Sequence, residues 1–387
     1  MPREDYGAIL HHLGEESLPL NAVSPPIFQT SNFCFPSFEE LRAAVNDELG
    51  HCLYTRGNNP TVNLAEAKLA ALEKGEKAKL LGSGAAAITN SVMAFVKAGD
   101  HIVCVRDAYT WMGKLASSYL SRFGVECSFV EGTDIAEIEA AIRVNTRLIY
   151  LESPTSMTFK LQDLAAVASL ARSRGIRTIT DNTWATPYFC NPLELGVDIV
   201  VHSGSKYLGG CSDILAGVVV GNKEDVERII QQESLQMGSV ADPFMAWLML
   251  RGLRTFHLRM PAHFRSAMDV SRFLESHGKV AQVLYPFLDS HPQAELAKRQ
   301  FRGGSGLLSI RLDTADIRRV VRFVDSLTLF KRAVSWGGYE SLVFPSAASY
   351  ASASEVPEDR AGLVRLHVGL EESEALIADL DQALGKM

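Results

Sequence analysis

Lysine is normally a solvated side chain, so a lysine at the end of an apolar run, among small hydroxyl residues, is the first position to question for chemistry. Lys206 is such a residue, following Ile199–Val201 in His202-Ser203-Gly204-Ser205-Lys206-Tyr207. Desolvation there lowers the pKa and leaves a neutral amine able to attack a carbonyl. Two other runs end in comparable ways. Thr178-Ile179-Thr180 leads to Asp181, which either caps the next turn or offers a carboxylate. Leu80-Leu81 leads into Gly82-Ser83-Gly84-Ala85-Ala86-Ala87-Ile88, small residues that open a helix. Exposed N–H groups and the positive end of a helix dipole bind phosphate at such a start, although Gly-Ser-Gly before a helix is also ordinary turn chemistry.

Each of these ends is ambiguous alone, and the three together fit one cofactor. Pyridoxal phosphate needs an amine for its aldehyde, a carboxylate for its pyridine nitrogen, and a helix start with hydroxyls for its phosphate. Lys206, then Asp181, then Gly84, Ala85, Ser203 and Ser205 supply those groups.

The elements that must hold them are legible from periodicity. Apolar runs rich in β-branched residues, Ile102–Val105, Leu148–Leu151, Thr178–Thr180, Ile199–Val201 and Ala216–Val220, alternate with helical patterns at Ala85–Val96, Asp134–Ile142 and Leu161–Arg174. Asp134 and Glu137 stand at capping-box spacing, and Gly175 stops the third helix. Strands apolar on both faces and separated by helices predict an α/β fold with a mostly parallel sheet covered on both sides. Ligands of such sheets sit beyond the carboxyl ends of the strands, where the three loaded runs end.

Before this block, residues 1–56 are rich in turn formers, notably Ser24-Pro25-Pro26, and poor in periodic segments. A loop of that length inside a compact domain is improbable, so an N-terminal oligomerisation arm is expected. Residues 57–250 form the expected cofactor-binding domain. From 251 to 387 a smaller α+β domain is predicted, with a helical region Arg251–Gly278, strands at Leu307–Leu312 and Leu363–Val368, and helices at Ala315–Leu327 and Glu371–Leu384.

Composition narrows the partners. The 387 residues are 47% apolar, with 38 basic against 45 acidic side chains and a formal net charge of −7. That balance lacks the concentrated positive field that nucleic acid or an anionic membrane requires, so neither is expected. The six cysteines are scattered, with neither metal-ligand spacing nor a disulfide framework, so mostly buried thiols and no metal are expected. Met1–Leu10 carries Arg3, Glu4 and Asp5 and reads as no signal peptide, and no apolar run reaches membrane-spanning length, so a soluble, cytoplasmic protein is expected.

Several ordered motifs then resemble one family. Tyr54-Thr-Arg56-Gly-Asn-Asn-Pro60-Thr, the Ser83-Gly84 helix start, Asp107-Ala-Tyr109, Glu152-Ser-Pro154, Asp181-Asn-Thr, Ser203-Gly-Ser-Lys206-Tyr-Leu and Val364-Arg365-Leu-His-Val-Gly-Leu-Glu are similar to the Cys/Met-metabolism PLP enzymes of fold type I. The resemblance implies that Tyr109 stacks on the cofactor ring, and that Tyr54 and Arg56 cross from a neighbouring subunit to its phosphate. It further implies that Arg365 binds the substrate α-carboxylate, and that the protein is a homo-oligomer, a tetramer built from dimers with shared active sites, acting on a small sulfur amino acid.

Within that family, Ser335-Trp336-Gly337-Gly338-Tyr339-Glu340-Ser341-Leu342, Trp184 and Ser156 resemble bacterial cystathionine β-lyases. The activity this implies is β-elimination of L-cystathionine to homocysteine, pyruvate and ammonia. Lys206 would act as base, Tyr109, Tyr54 and Lys206 would be the catalytic set, and Ser335, Trp336, Tyr54 and Arg365 would line the substrate site. The alternatives are a γ-acting relative, methionine γ-lyase or cystathionine γ-lyase, and a catalytically silent relative. Gly204-Ser205, Ala85 and Cys211 depart from the common pattern of the family.

Overall fold

A computed structural model describes residues 6–387; Arg3, Glu4 and Asp5 of the N-terminal reading lie outside the described residues. A seven-stranded sheet has the order β1-β7-β6-β5-β4-β2-β3, from β1 (Lys77–Leu81), β2 (His101–Val105), β3 (Glu126–Val130), β4 (Thr146–Glu152), β5 (Arg177–Asp181), β6 (Ile199–Ser203) and β7 (Gly217–Gly221). β6, β5, β4, β2 and β3 run parallel, and β7 is antiparallel to both of its neighbours. β2 and β7 are buried along their whole length, as continuous apolar runs in a sheet covered on both faces should be. β3 carries no such run: Glu126 is exposed and Cys127, Ser128 and Phe129 are half-buried, because it is an edge strand.

The helices of this part are α1 (Tyr6–His11), α2 (Phe38–Asn46), α3 (Pro60–Glu73), α4 (Gly84–Met93), α5 (Thr110–Lys114), α6 (Ile135–Ala141) and α7 (Leu164–Ser173), followed by others further along the chain. Of these, α4, α6 and α7 are the ones seen by periodicity, with shifted limits, and α1, α2, α3 and α5 are not anticipated by it. At α6, Asp134 caps the Ala136 N–H at 2.9 Å, but Glu137 does not close a capping box. Its carboxylate accepts instead from the N–H groups of Glu131 and Gly132 at 2.9 and 3.0 Å, tying the helix to the end of β3. α7 starts three residues later than its pattern, because the Leu161 N–H donates to Gln293 and the Gln162 N–H to Ser153. The region 251–278 is also not one helix. A helix Pro243–Leu253 ends just inside it, and a second, Phe256–Ser276, fills most of it.

A second sheet has the order β10-β11-β12-β9-β8, from β8 (Val280–Leu284), β9 (Leu307–Leu312), β10 (Lys331–Arg332), β11 (Leu342–Pro345) and β12 (Leu363–His367). β12 lies between β11 and β9 and every residue of it is buried. The face carrying Arg365 and His367 is therefore covered.

The N-terminal 56 residues do not behave as one extended arm. α1 docks on its own chain, with Leu10 buried against α3 and the Lys68 ammonium donating to the carbonyls of Ile9 and Leu10 at 2.9 and 3.2 Å. Glu15 pairs with the same ammonium at 2.9 Å, so a buried charge is matched and hydrogen-bonded. Beyond it the chain leaves large apolar side chains in solvent, among them Leu20, Val23, Phe38 and Val45. Among the described residues no helix is long and apolar enough to cross a membrane. The six cysteines are all free, and only Cys104 and Cys190 are buried; Cys34 and Cys211 are exposed because both stand in loops.

Candidate active site

The carboxyl ends of β4, β5 and β6 open into a cavity of about 1170 Å³, closed on the far side by the loop before β11 and by β12. Lys206, Asp181, Ser203, Ser205, Gly84, Ala85, Tyr109, Ser335, Trp336 and Arg365 all line it. Ten of the twelve residues expected at the site thus meet on one surface.

Lys206 sits in a turn directly after β6, where its N–H donates to the Ser203 carbonyl at 3.2 Å and its own carbonyl accepts from Gly210 at 2.7 Å. Its ammonium donates to the Ser335 hydroxyl at 2.5 Å and lies 5.5 Å from the centre of the Trp336 ring. Burial, with a further push from the Arg365 charge, lowers its pKa to about 8, against the opposing pull of Asp181. A substantial neutral fraction is thus present near physiological pH, as a nucleophilic or basic amine requires.

Asp181 is buried at the end of β5. Its Oδ1 accepts from the Thr183 N–H at 2.8 Å and from the Thr183 hydroxyl, and that hydroxyl accepts in turn from the Ser203 N–H at 2.9 Å. Thr183 therefore fixes the carboxylate and the start of the lysine turn together, leaving Oδ2 for the cavity. Burial raises the Asp181 pKa, and the Thr183 hydrogen bonds, His202 and Lys206 oppose that rise.

The α4 start fits a phosphate. Ser83 caps it by accepting from the Ala86 N–H at 3.1 Å, which leaves the N–H groups of Gly84 and Ala85 to the cavity. A side chain at Gly84 would approach Ser203 Cβ to 2.9 Å, so glycine is what lets this helix start lie against the end of β6. An amine, a carboxylate and an anion cradle thus stand where pyridoxal phosphate needs them.

Arg365 is buried on β12. One terminal nitrogen donates to the Val334 carbonyl at 2.6 Å and the other reaches the Ser156 hydroxyl at 3.5 Å. Among the described residues no carboxylate lies within ion-pair distance of it. Burial lowers its pKa to about 10, with Glu152 and Tyr109 opposing. A buried guanidinium with uncommitted donors on a cavity wall is suited to an incoming carboxylate. Trp336 packs against Tyr207 with ring centres 5.6 Å apart, and the residue after it, Gly337, has φ +84°; a Cβ there would meet Lys206 Cβ at 2.8 Å. The loop is therefore pressed onto the lysine backbone.

Tyr54 and Arg56 do not line the cavity in this chain. Both are exposed, with the guanidinium 5.8 Å from the tyrosine ring centre. Two residues that shape the site carry weaker sequence signals. Glu152, which accepts the Tyr109 N–H at 2.6 Å, ends β4 as Asp181 ends β5, and Thr183 follows Asp181 by two. The Asp107–Arg360 ion pair at 3.2 Å also lines the cavity and joins residues 253 apart, a distance no local pattern bridges.

The sequence profile described as Cys/Met metabolism PLP-dependent enzyme matches residues 8–385. The chain is 40% identical over 382 residues to an L-methionine γ-lyase of Pseudomonas putida, covering 97% of this chain and 96% of that protein. It is 39% identical over 371 residues to a cystathionine γ-lyase of Bacillus subtilis (strain 168), covering 94% of each. The crystal structure of metB from Corynebacterium glutamicum superposes with a TM-score of 0.91 at 35% identity, covering 99% of this chain and 98% of that one. The relatives named γ-lyases support the γ-acting alternative better than the expected cystathionine β-lyase. Of the clues behind the β-lyase expectation, Trp184 is a core residue, its indole N–H donating to the Leu307 carbonyl at 2.9 Å and its ring packed edge-on to Phe159, Tyr285 and Phe301. Such packing records how an interior is filled rather than which carbon loses sulfur. With its α/β fold of type I, its matching profile and its full-length relatives, the chain belongs to the Cys/Met metabolism family of pyridoxal phosphate-dependent enzymes.

Proposed function

We propose that the chain is a carbon–sulfur lyase that eliminates a thiol from Cγ of a sulfur amino acid, as a methionine γ-lyase or a cystathionine γ-lyase would. The observation that carries this reading is the convergence of Lys206, Asp181 and the unpaired Arg365 on one cavity. The relatives named γ-lyases support the choice of carbon.

When bound, pyridoxal phosphate supplies an electron sink for negative charge developing at the substrate Cα. Asp181 would hold the pyridine nitrogen protonated, and Ser203, Ser205 and the N–H groups of Gly84 and Ala85 would hold the phosphate. Arg365 clamps the substrate carboxylate and so fixes which Cα bond is presented for cleavage. Lys206, as a free amine within the cavity, would remove the Cα proton, and departure of sulfur from Cγ would require removal of a Cβ proton as well. Tyr109 and Lys206 are the donors within the cavity for the leaving thiolate. Burial and the charge of Asp181 raise the Tyr109 pKa, which keeps its phenol a proton donor at neutral pH. Tyr54 and Arg56 would serve a second copy of the chain, whose arm in return would complete this site. A tetramer built from such dimers would cover the apolar residues of the 15–56 segment. Within this scheme residues 1–56, 57–250 and 251–387 act as arm, cofactor domain and substrate-side domain.

A second reading, β-elimination of L-cystathionine to homocysteine, pyruvate and ammonia, is favoured by Trp336, whose indole narrows the wall beside the lysine. The keto acid separates the two. Cystathionine should yield 2-oxobutyrate by γ-cleavage and pyruvate by β-cleavage, and methionine should yield 2-oxobutyrate. Pyruvate alone from cystathionine, with methionine untouched, would refute cleavage at Cγ.

A further inference from the structure

The ends of β4 and β5 bring two carboxyl groups together. Glu152 and Asp181 are register partners on adjacent parallel strands, so their backbones lie about 5 Å apart and their side chains leave the same face. Both are buried. Two ionised carboxylates leaving one face in a poorly hydrated site repel, which favours a proton on one of them.

Their surroundings decide which. Asp181 accepts two hydrogen bonds from Thr183 and is attracted by His202 and Lys206, all of which favour its charged form. Glu152 accepts one, from the Tyr109 N–H at 2.6 Å, and among the described residues has no cation within ion-pair distance. Burial, Asp181 and Asp107 push its pKa well up, with the Tyr109 N–H and Arg365 opposing. Two residues back on the same strand, the Tyr150 hydroxyl is buried with no hydrogen-bond partner and brings no charge to the pair.

We propose that Glu152 is a positioning residue working as a neutral carboxyl, which holds the Tyr109 backbone, leaves Asp181 as the sole anion of the pair, and keeps the Arg365 guanidinium uncommitted. This deepens the lyase reading and rests on it. The hydrogen bond fixes the entry into α5 and so the direction of the Tyr109 ring. An ionised Glu152 would compete with the substrate carboxylate for Arg365.

Infrared spectroscopy of the holoenzyme, compared with Glu152→Gln, tests the charge directly. A protonated-carboxyl carbonyl band at pH 7 that vanishes in this variant is expected, and its absence would overturn the proposal. In kinetics, Glu152→Ala should lose about 100-fold in kcat, because a misplaced ring costs that much, and Glu152→Gln should restore the rate to within about fivefold of wild type. Equal damage in both variants would show that the charge is needed and overturn the proposal. Should the alanine variant fail to fold, the glutamine variant alone decides, overturning the proposal if its kcat is below a hundredth of wild type. If the band is present but wild-type protein releases no keto acid from any sulfur amino acid, the neutral carboxyl stands and the lyase reading falls.

Discussion

Two buried arginines show how the scaffold and the site of this molecule differ. Arg259 and Arg365 are 8% and 7% exposed, and burial lowers the pKa of each to about 10. Among the described residues neither has a carboxylate within ion-pair distance. Arg259, on the helix Phe256–Ser276, gives its donors to the Thr255 hydroxyl at 3.0 Å and to the carbonyls of Tyr207 and Gly252 at 2.8 and 2.9 Å. Arg365 has one short bond to a carbonyl and one long contact to a hydroxyl. Burial is therefore common to both regions, and uncommitted donors belong to one. A folded chain tolerates that cost where a ligand will meet the donors.

The largest effect expected from this contrast falls on catalysis. Arg365→Leu should lower kcat/KM for sulfur amino acids by about 10²- to 10³-fold with the thermal midpoint little changed, because it removes a carboxylate clamp and only one short structural bond, to the carbonyl of the exposed Val334, which water can replace. Arg365→Lys should recover only part, since an ammonium cannot make the bidentate contact. Unchanged kcat/KM in Arg365→Leu would break the comparison.

Arg259→Leu should do the reverse. It strips two buried carbonyls and a hydroxyl of their donor, and a loss of about 3 kcal/mol of stability is expected, read as a lower urea midpoint. The folded fraction should keep most of its activity. A variant as stable as wild type would show that Arg259 is not structural.

How far each arginine was legible follows from the same physics. Arg365 sits in a motif that continues a strand pattern, so its position could be read, whereas its burial on a strand between β11 and β9 follows from pairings that no local pattern shows. Arg259 lies in a helical stretch with nothing to mark it, and its partners Tyr207 and Gly252 belong to other elements. The same divide runs through the fold. β2, β6 and β7 are continuous apolar runs and could be placed from composition, whereas β3, half-exposed, and β10, two residues long, carry too little pattern. At the site, Lys206 and Asp181 stood out as charged residues closing apolar runs. Glu152 closes one as well, but its role depends on its neighbour across the ladder, and a sequence lists neighbours along the chain only.

A third arginine sharpens the contrast from outside. Arg56 is exposed and does not line the cavity of its own chain, so its proposed role requires a second copy. Arg56→Ala and Lys206→Ala proteins, each inactive, should regain activity when refolded together. A hybrid dimer holds one site with both residues intact, and statistical mixing caps recovery at about a quarter of the wild-type rate. No recovery would place Arg56 outside any shared site.

The smallest effect expected is on the stability of the cofactor-free protein, and it tests whether the uncommitted cations destabilise the fold. Lys206 has a folded-state pKa of about 8, below the ordinary lysine value of 10.5, because it is buried near Arg365. The unfolded chain then holds the proton more tightly than the folded one, and stability rises with pH wherever the two differ in bound protons. The destabilisation is complete below pH 8, shrinks between about pH 8 and 10.5, and is gone above, the reverse of a lysine that gains a carboxylate partner. Allowing for the partial exposure of the side chain, Lys206→Met should raise the stability of the cofactor-free protein at pH 7 by on the order of 1–2 kcal/mol. The gain should fall steadily between pH 8 and 10.5. A gain that is flat with pH would trace it to the added apolar side chain, and the idea that the site holds its cations under strain would fail for Lys206 while standing for Arg365.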